Sequence, residues 1–552
     1  MSTNLDGRGT VSLATYLFTR LRQLGVRAVH MSYPSYNPIY AFNGHARVKG
    51  ISALFTQYGV GELNALNAVA GAYVEYSPMV HIVGCPARKT YRVGGVVQHS
   101  LGDGKLRVHA NIWKHYTVAQ AALFNPMTAI ELIDQTLQAC VQESRPVYLE
   151  MPSDMVTVAV QEEPLATPLH LSPLTNDQEI EDEVLETVLN HIYASKQPYV
   201  LVDGLAASDQ IVDEVNRFAS TTGFPTLSYT FGGGIVDGSL PNYHGIDAGK
   251  FGTLDFTPYT STADLCLLFS PFLTNVNMQS YTNIPPKCIT ISFGRKVIGV
   301  GYAGTLSLYV KSVLRKLLDK IDTSRLPNVQ KALSPPDYSA PIYQDTFNLR
   351  LSSHFRPKDV IICANATPLP GGRGFVLPLD VTLIINSSIW LSIGHMLPAA
   401  QGVALAQREL NTGGRTILFE GDGSFQVSAQ ELSTVIKHKL DAYIFLINNS
   451  RYTYERMLHG EDQEYKDVAR WNYLMTLEMM GAPRKGEGDY TVDTYDVSTW
   501  GDLMPTLEDS KFWDGKGPKM VNVRMDLMDM AKRFKPVLKM QGDLLRADPG
   551  LE

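Results

Sequence analysis

Short apolar runs alternate with helical stretches along most of the chain, and this alternation limits the possible folds more than any other feature. When a helix separates successive strands, neighbouring strands run parallel and helices cover both faces of the sheet. The strands predicted in this way are VRAVHMS, ISALFTQ, MVHIVGC and PVYLEMP, then YVLVDG, DLCLLFS and CITISFG, and finally DVIICAN, TILFEGDG, AYIFLINN and MVNVRM.

Two proline-rich stretches divide these strands into three groups. Residues 164–175 and 326–343 contain several prolines and little hydrophobic periodicity, which is typical of linkers. A chain of 552 residues is also too long for a single hydrophobic core. The sequence therefore predicts an α/β protein with three doubly wound parallel-sheet domains. Their expected bounds are residues 1–165, 177–325 and 344–552.

The charge pattern bears on partners and location. The net charge is -7, the isoelectric point is near 6.0, and no dense cluster of lysine and arginine is present, which argues against a nucleic-acid surface. No apolar run is long enough to span a bilayer, and the amino terminus lacks the pattern of a secretory signal. The five cysteines are scattered and form no C-x-x-C motif. We therefore expect a cytoplasmic enzyme without structural zinc.

Polar side chains follow two of the predicted strands in the third domain. Asp422 ends TILFEG within the motif GDGS, and Asn448 and Asn449 end AYIFLINN after one helical segment, expected over 427–438. In a right-handed βαβ unit both strand ends lie at the same carboxyl edge of the sheet. A carboxylate, an amide oxygen and a nearby carbonyl are hard oxygen ligands that suit magnesium and leave room for phosphate oxygens. We expect a pyrophosphate–magnesium site here, with two ordinary loops as the alternative.

The same stretch resembles a known family motif. GDGSFQVSAQELSTVIKHKLDAYIFLINN is similar to the thiamin diphosphate motif, and NNSRYTYERMLHG is similar to the segment directly after that motif in pyruvate decarboxylases and related 2-oxo acid decarboxylases. Family-like segments also occur in the first domain, among them TQYGVGELNALNAVAGAYVE, QHSLGDG and SRPVYLEMPSDMV. The resemblance implies pyrimidine-binding, middle and pyrophosphate-binding domains. It also implies a homodimer or homotetramer, with cofactor between the first domain of one subunit and the third of another.

The resemblance assigns roles to individual residues. Asp422 and Asn449 match the metal-binding side chains, and Arg451 falls where the family supplies a carbonyl ligand, usually from glycine. Glu455 matches a carboxylate that assists decarboxylation and protonation, and His99 matches one active-site histidine. Ile393 matches the wedge that bends the cofactor into a V. The further cofactor contacts implied are Thr367, Leu391, Ser392, Gly423, Ser424 and Asn449.

The first domain departs from the family near residues 32–49. In the family a glutamate there hydrogen-bonds the pyrimidine and activates the cofactor. Here no acidic residue occurs between Gly25 and Gly61, and YAFNGHARVKG resembles only the end of the helix that should carry the glutamate. Glu62 is not its replacement, because GELNALNA belongs to a later family segment.

Further family positions are also changed. Ser35 and Gln98 replace an aspartate and a histidine, Leu391 replaces a glycine, and Val141 replaces a tyrosine associated with regulation in some members. Three explanations stay open. The gene prediction has lost a coding fragment; or the chain is a degenerate paralogue or regulatory subunit; or it is an active enzyme with altered chemistry, such as a carboligase or a decarboxylase for a larger 2-oxo acid. The function implied by resemblance is conversion of a small 2-oxo acid to an aldehyde and carbon dioxide with thiamin diphosphate and magnesium.

Overall fold

The structure is a computed structural model of the chain. It describes residues 9–32, 41–169, 171, 175–249, 256–301, 305–327, 344–366, 368, 372, 374–378, 380–385, 389–460, 464–483, 488–526, 528–530 and 535–547. The chain divides into two compact units. One contains residues 1–173 with 398–410, and the other contains residues 174–397 with 411–552.

The first unit is built on a parallel sheet of five strands in the order β2-β3-β4-β6-β5, with a separate antiparallel pair of β1 and β7. The strands are β1 Thr10–Ser12, β2 Val29–Ser32, β3 Ser52–Gln57, β4 Met79–Cys85, β5 Gln120–Ala122, β6 Val147–Pro152 and β7 Ala159–Gln161. The helices are α1 Leu13–Gln23, α2 Ala41–Lys49, α3 Val60–Asn64, α4 Leu66–Val74, α5 Arg88–Arg92, α6 Val108–Trp113 and α7 Ala129–Glu143. The four predicted strands of this domain are β2, β3, β4 and β6.

The shortened stretch of the first domain forms a helix closely packed within its unit. The segment predicted to be the end of a helix is α2, and β2 pairs directly with β3. A Cβ added at Gly44 would lie 2.1 Å from the carbonyl oxygen of Ala399, so only glycine fits there. Glu409 accepts a hydrogen bond from Lys49 at 2.8 Å. Residues 33–40, including Ser35, lie outside the described residues.

The second unit contains two sheets, of which the first has seven strands in the order β10-β9-β8-β11-β12-β13-β14. Its strands are β8 Pro198–Val202, β9 Thr226–Ser228, β10 Tyr243–Ile246, β11 Leu265–Phe269, β12 Thr290–Gly294, β13 Val297–Val300 and β14 Thr305–Leu306. Its helices are α8 Gln178–Ala194, α9 Leu205–Ser208, α10 Val212–Thr222, α11 Thr257–Thr260 and α12 Val310–Lys320. The strands from β8 to β12 are parallel, while β13 and β14 extend one edge in antiparallel fashion.

The other sheet of this unit has six parallel strands in the order β16-β15-β17-β18-β20-β19. Its strands are β15 Val360–Cys363, β16 Thr382–Ile385, β17 Thr416–Gly421, β18 Tyr443–Asn448, β19 Asp493–Val497 and β20 Lys519–Arg524. The helices are α13 Gln344–Leu351, α15 Asp422–Ser428, α16 Glu431–Lys437, α17 Thr453–His459, α18 Thr476–Met479, α19 Trp500–Glu508, α20 Ser510–Asp514 and α21 Lys535–Ala547. Helix α14, Met396–Leu410, comes between β16 and β17 in the chain, and its residues 398–410 belong to the first unit. In the described part of the chain no helix is both long and apolar enough to cross a membrane.

The strands of the six-stranded sheet are apolar until they end, so polar side chains begin at the carboxyl edge of the sheet. Ile417 and Phe419 of β17 point to one face and pack with Phe445 of β18 and the helices on that side. The strands are buried almost throughout, as parallel strands covered on both faces must be. The helix after β17 begins at Asp422, five residues before the expected start, and is interrupted after Ser428. Asp422 is therefore both the end of the strand and the first residue of the helix.

Glu431 at the start of α16 provides a test of this packing. The residue is 2% exposed, its Oε2 has no hydrogen-bond partner in the described structure, and burial raises its pKa to about 8. The pKa of Glu431 is higher in the folded than in the unfolded chain, so the buried carboxyl group favours the folded state as long as it is protonated. This stabilisation is fully present below the ordinary pKa of glutamate and is lost as the pH rises towards 8. Between pH 5 and 8 we expect the free energy of unfolding of the wild type to fall by about 3 kcal/mol because of this group. The Glu431→Gln variant should not show this part of the decrease.

Thermal denaturation at pH 5.5 and 8 measures this difference. The drop in melting temperature should be clearly larger for the wild type than for Glu431→Gln. Glu478→Gln, which changes an exposed glutamate of α18 in the same unit, should follow the wild type. Equal pH dependence in the wild type and Glu431→Gln would contradict the prediction.

Candidate functional site

The ends of β17 and β18 bring the predicted metal-binding residues to one edge of the six-stranded sheet. The two strands are parallel neighbours, and Gly421 pairs with Ile447, so Asp422 and Asn448 lie at the same level. Asp422 and Asn449 are 3% and 6% exposed. The expectation from the βαβ pattern, that both strand ends meet at one edge, holds for these two strands.

The Asp422 carboxylate joins the two strand ends. Its Oδ1 accepts a hydrogen bond from the Gly423 amide at 2.8 Å, and its Oδ2 accepts one from the Ser450 amide at 2.6 Å. Burial raises the pKa of Asp422 to about 6, while these amides favour the charged form. A buried carboxylate with two remaining lone-pair directions is a suitable ligand for a cation.

Asn449 and Arg451 are held by a tight turn before α17. The Asn449 side-chain Nδ2 donates to the Thr453 hydroxyl at 2.7 Å, and its Oδ1 accepts from the Arg451 amide at 3.3 Å. The Arg451 carbonyl accepts from the Thr453 amide at 3.0 Å. The left-handed residue in this turn is Ser450, with φ of 57°, so arginine at 451 is compatible with the backbone. The carbonyl of Arg451 retains a second lone pair.

Ser424 connects this edge to the segment that carries Leu391, Ser392 and Ile393. Its hydroxyl donates to the buried carboxyl group of Glu420 and accepts a hydrogen bond from the Gly394 amide at 2.8 Å. Leu391 has a left-handed φ of 48°, and Ile393 is 43% exposed. The structure thus joins Ser424 to Gly394, which directly follows Leu391, Ser392 and Ile393 in the chain, whereas Thr367 lies outside the described residues.

Tyr452 and Tyr473 lie beside the same turn. A Cβ added at Gly423 would be 2.3 Å from Tyr452 Cε1, so the phenol ring occupies the space that any larger residue would need. The Tyr473 hydroxyl accepts a hydrogen bond from Gln426 at 2.8 Å. Burial and the nearby Asp422 carboxylate raise the pKa of both phenols, that of Tyr473 to about 12. Both hydroxyls therefore carry their protons at neutral pH.

Two buried polar groups at this edge were not foreseen from the sequence. Asn365 follows β15, which neighbours β17, and neither polar atom of its amide has a hydrogen-bond partner among the described residues. Glu420 is fully buried, its Oε2 has no partner there either, and burial raises its pKa to about 8. Asn365 gave a signal in the sequence, since it ends the predicted strand DVIICAN. Glu420 was also recognisable in the sequence, because it is an acidic residue within the apolar strand TILFEG.

These groups fit the pyrophosphate end of the implied cofactor with a magnesium ion. Asp422, Asn449 and the Arg451 carbonyl supply hard oxygen donors of the kind magnesium accepts from proteins. The Asn365 amide, which has no hydrogen-bond partner among the described residues, would be available as a donor to phosphate oxygens. A Cβ added at Gly421 meets nothing within 4 Å, so the side of the turn at that residue is open. In the described structure no group of three or more histidine, cysteine, aspartate or glutamate side chains is placed to hold a metal. The implied site therefore depends on a single carboxylate together with amide and carbonyl oxygens.

Glu455 lies in the first turn of α17, directly after the metal-site turn. Its side chain is 53% exposed, and its Oε2 is 3.5 Å from Nε2 of His459, one turn further along the helix. On another face of α17, Tyr454, Met457 and Leu458 pack against Met530 and Leu538. The neighbouring helix α21 thus supports α17 and leaves Glu455 accessible.

His99, the other predicted catalytic residue, belongs to the first unit. It has a left-handed φ of 62°, and its ring is 6.0 Å from that of Tyr58 in an edge-on arrangement. A Cβ added at Gly59 would lie 1.8 Å from the His99 carbonyl oxygen, so this approach requires glycine. The Tyr58 hydroxyl donates to the carbonyl of Gln98 at 2.7 Å. The loop that carries His99 is therefore fixed against the end of β3.

Glu62 is fully engaged in hydrogen bonds inside the first unit. Its Oε1 accepts from the Gly59 amide at 2.8 Å, and its Oε2 accepts from the Trp113 indole at 2.7 Å and the Tyr148 hydroxyl at 3.0 Å. Trp113 and Tyr148 also pack edge-on against the buried ring of His81. These contacts give Glu62 a structural role inside the first unit, and its exclusion as the activating group stays a prediction.

Replacement of Glu62 with glutamine should therefore destabilise the first unit. The new amide nitrogen would face donors that now point at the carboxylate, and the expected loss is about 2 to 3 kcal/mol. Thermal denaturation should show a lower melting temperature for Glu62→Gln. Glu131→Gln, which alters an exposed glutamate bonded to Gln135, should have little effect. Unchanged stability together with lost activity would instead identify Glu62 as a catalytic group.

Comparison with known proteins is consistent with this geometry. Three family descriptions match: the N-terminal binding domain of thiamine pyrophosphate enzymes over residues 36–105, the central domain over 185–317, and the C-terminal binding domain over 379–523. The chain is 39% identical to a pyruvate decarboxylase of Aspergillus parasiticus, with 94% of this chain and 96% of that protein covered. It is 31% identical to pyruvate decarboxylase isozyme 2 of Saccharomyces cerevisiae, with 89% and 87% covered.

The solved structures show the same fold. Benzoylformate decarboxylase from Polynucleobacter necessarius aligns with a TM-score of 0.73 at 17% identity, over 94% of this chain and 99% of that one. This agrees with the α/β fold of three thiamine pyrophosphate enzyme domains expected from the sequence. From the family matches and the long alignments with pyruvate decarboxylases, the chain belongs to the thiamine pyrophosphate-dependent pyruvate decarboxylase family.

Proposed function

We propose that this protein decarboxylates a 2-oxo acid without oxidation, giving an aldehyde and carbon dioxide, with thiamin diphosphate and magnesium as cofactors. The observation that carries the proposal is the edge formed by Asp422, Asn449 and the Arg451 carbonyl, with Glu455 on the next helix. Membership of the pyruvate decarboxylase family supports the reaction class. A cytoplasmic homodimer or homotetramer that binds neither nucleic acid nor membrane is part of the same proposal.

Each residue has a defined task in this proposal. Asp422, Asn449 and the carbonyl of Arg451 hold the magnesium ion, and Gly423 and Ser424 face the diphosphate. Leu391, Ser392, Ile393 and Thr367 contact the rest of the cofactor. When bound, the cofactor would supply the nucleophile and the electron sink that decarboxylation of a 2-oxo acid needs. Glu455 and His99 move protons to and from the reacting group.

The choice of the first substrate follows from the relatives of this chain, which are pyruvate decarboxylases. Tyr454, next to Glu455, is the side chain that we propose narrows or reshapes the substrate pocket. Pyruvate is the first substrate to test, followed by phenylpyruvate and indolepyruvate.

A second candidate function is that of a degenerate cofactor-binding paralogue or regulatory subunit. It is favoured by the lack of acidic residues between Gly25 and Gly61 and by the structural engagement of Glu62. A carboligase that works without the activating glutamate is a third candidate. Each of these predicts cofactor binding without the expected aldehyde.

Carbon dioxide release distinguishes these functions. The purified chain is incubated with thiamin diphosphate and magnesium and with pyruvate or phenylpyruvate, against a cofactor-free control. Cofactor-dependent release with aldehyde formation supports decarboxylation. Cofactor binding without release supports the paralogue or a lost coding fragment. Sequencing the transcript across residues 31–50 separates those two.

A further inference from the structure

We propose that Glu150 is a positioning residue for the reaction, because it holds both ends of the segment that carries His99. This segment, residues 93–106, connects α5 to α6 and is termed the His99 segment. The inference rests on the proposed function, in which His99 moves protons. Neither the sequence motifs nor the comparisons give Glu150 a role, and the inference follows from the contacts of its carboxylate.

The Glu150 carboxylate binds two residues that flank the His99 segment. Glu150 lies on β6, between β4 and β5 in the sheet, and its side chain is 4% exposed. Its Oε1 accepts a hydrogen bond from the Tyr91 hydroxyl at 3.2 Å, and its Oε2 accepts one from Nε of Arg107 at 3.0 Å. Tyr91 belongs to α5, and Arg107 directly precedes α6. One buried carboxylate therefore joins both ends of the segment.

The ring of Phe124 packs against the same two side chains. The rings of Tyr91 and Phe124 meet edge-on with centroids 4.9 Å apart, and the Arg107 guanidinium carbon lies 5.6 Å from the centre of the Phe124 ring. Within the segment, a Cβ added at Gly104 would lie only 2.7 Å from the Gly94 carbonyl oxygen. The two ends of the His99 segment thus lie side by side.

The middle of the His99 segment is attached to the end of β3. The Tyr58 hydroxyl donates to the Gln98 carbonyl, and Gly59 lies against the His99 carbonyl oxygen. These contacts hold the backbone at His99. The direction in which the imidazole points then depends on the path of the whole segment, which Glu150 sets at both ends.

A buried carboxylate on a central strand has a cost that its contacts must offset. Burial raises the pKa of Glu150, while Arg107 and Tyr91 favour its charged form. An apolar side chain would fill a strand position between β4 and β5 without this desolvation penalty. The presence of glutamate is therefore explained by the two residues that it binds.

The substitution Glu150→Gln tests the link between the two ends. Glutamine has one side-chain acceptor oxygen where glutamate has two, so it can accept from only one of Tyr91 and Arg107. One end of the His99 segment is then released. Because small displacements of a catalytic group are costly, we expect kcat for aldehyde formation from pyruvate to fall about tenfold. Hydrogen exchange measured by mass spectrometry should also become faster at residues 93–106.

A double substitution shows whether this effect acts through His99. In the His99→Ala variant the segment no longer places a reacting group, so adding Glu150→Gln should change kcat by less than about twofold. Losses that multiply in the double variant would overturn the inference, because they would indicate a general disturbance of the first unit.

Arg107→Met releases the α6 end alone and serves if Glu150→Gln does not fold. The Arg107 side chain is 53% exposed, so this substitution should be tolerated better than one on β6. We expect it to lower kcat and to increase exchange at residues 93–106, and wild-type values of both would contradict the inference.

Asp134→Asn is the matched control, because Asp134 also binds one tyrosine and one arginine. Its Oδ2 accepts from the Tyr16 hydroxyl at 2.9 Å, and its Oδ1 accepts from Nε of Arg20 at 2.9 Å, between α7 and α1 of the same unit. It should lower the melting temperature but leave kcat and exchange at residues 93–106 unchanged. An equal fall in kcat for Asp134→Asn and Glu150→Gln would overturn the inference.

The outcomes separate the inference from the function on which it rests. If the wild type forms aldehyde and Glu150→Gln does so with the same kcat, the inference is wrong and the proposed function is unaffected. If the wild type with thiamin diphosphate and magnesium releases no carbon dioxide, the proposed function fails. Hydrogen exchange then decides whether Glu150 holds the segment: faster exchange at residues 93–106 in Glu150→Gln supports this, and unchanged exchange overturns it.

Discussion

Replacement of Asp422 with alanine should abolish binding of thiamin diphosphate in the presence of magnesium, with an affinity loss of at least about 100-fold. Asp422 is the one side chain in the proposed donor set that is negatively charged when ionised, and it also holds the Ser450 amide at 2.6 Å. Without it, the amide and carbonyl oxygens that remain cannot neutralise the ion. Titration calorimetry of the variant with thiamin diphosphate and magnesium measures the effect.

A matched control separates loss of the site from loss of the fold. Asp441 accepts a hydrogen bond from the Gly517 amide at 2.6 Å and lies before β18, at the opposite end of the strand. Asp441→Ala removes a similar carboxylate–amide contact and should leave cofactor affinity within about twofold. If Asp422→Ala binds the cofactor as well as the wild type, the metal assignment is wrong.

The sequence was sufficient to locate this edge because the strands that form it are long and apolar. TILFEG and AYIFLINN are buried on both faces, and their local pattern alone identifies β17 and β18. Once both are placed in one βαβ unit, Asp422 and Asn449 must approach each other. The same reasoning did not locate β13 and β14, which are short, lie at an edge and pair in antiparallel fashion.

Contacts between distant parts of the chain were harder to foresee. Glu62 is held by Trp113 and Tyr148, which come from other elements of the sheet unit, and no local pattern indicates that pairing. Asn365 and Tyr452 lie at this edge only because the fold brings β15 and the turn before α17 next to Gly421 and Gly423. Their positions in the sequence do not indicate this proximity. Motif resemblance pointed to the residues of the motif itself, whereas the structure adds the side chains packed around it.

Replacement of Glu455 with glutamine should lower kcat for aldehyde formation by about 100-fold or more, with little change in cofactor affinity. General acid–base groups typically contribute 10² to 10⁴-fold, and the amide of glutamine keeps the shape while losing the exchangeable proton. Glu455 is half-exposed and its contact with His459 is a surface pair, so the substitution should hardly affect stability. Steady-state kinetics with pyruvate, together with calorimetry for thiamin diphosphate, measures both quantities.

Glu478→Gln is the control, because it changes an exposed glutamate in the first turn of α18. It should leave both kcat and cofactor affinity unchanged. A Glu455→Gln variant with wild-type kcat would remove the residue from the reaction and would direct attention to another proton carrier. A variant that loses aldehyde formation but still releases carbon dioxide would place Glu455 after decarboxylation, in protonation of the intermediate. Such a division would also bear on the carboligase alternative, since an unprotonated intermediate remains available to a second carbonyl compound.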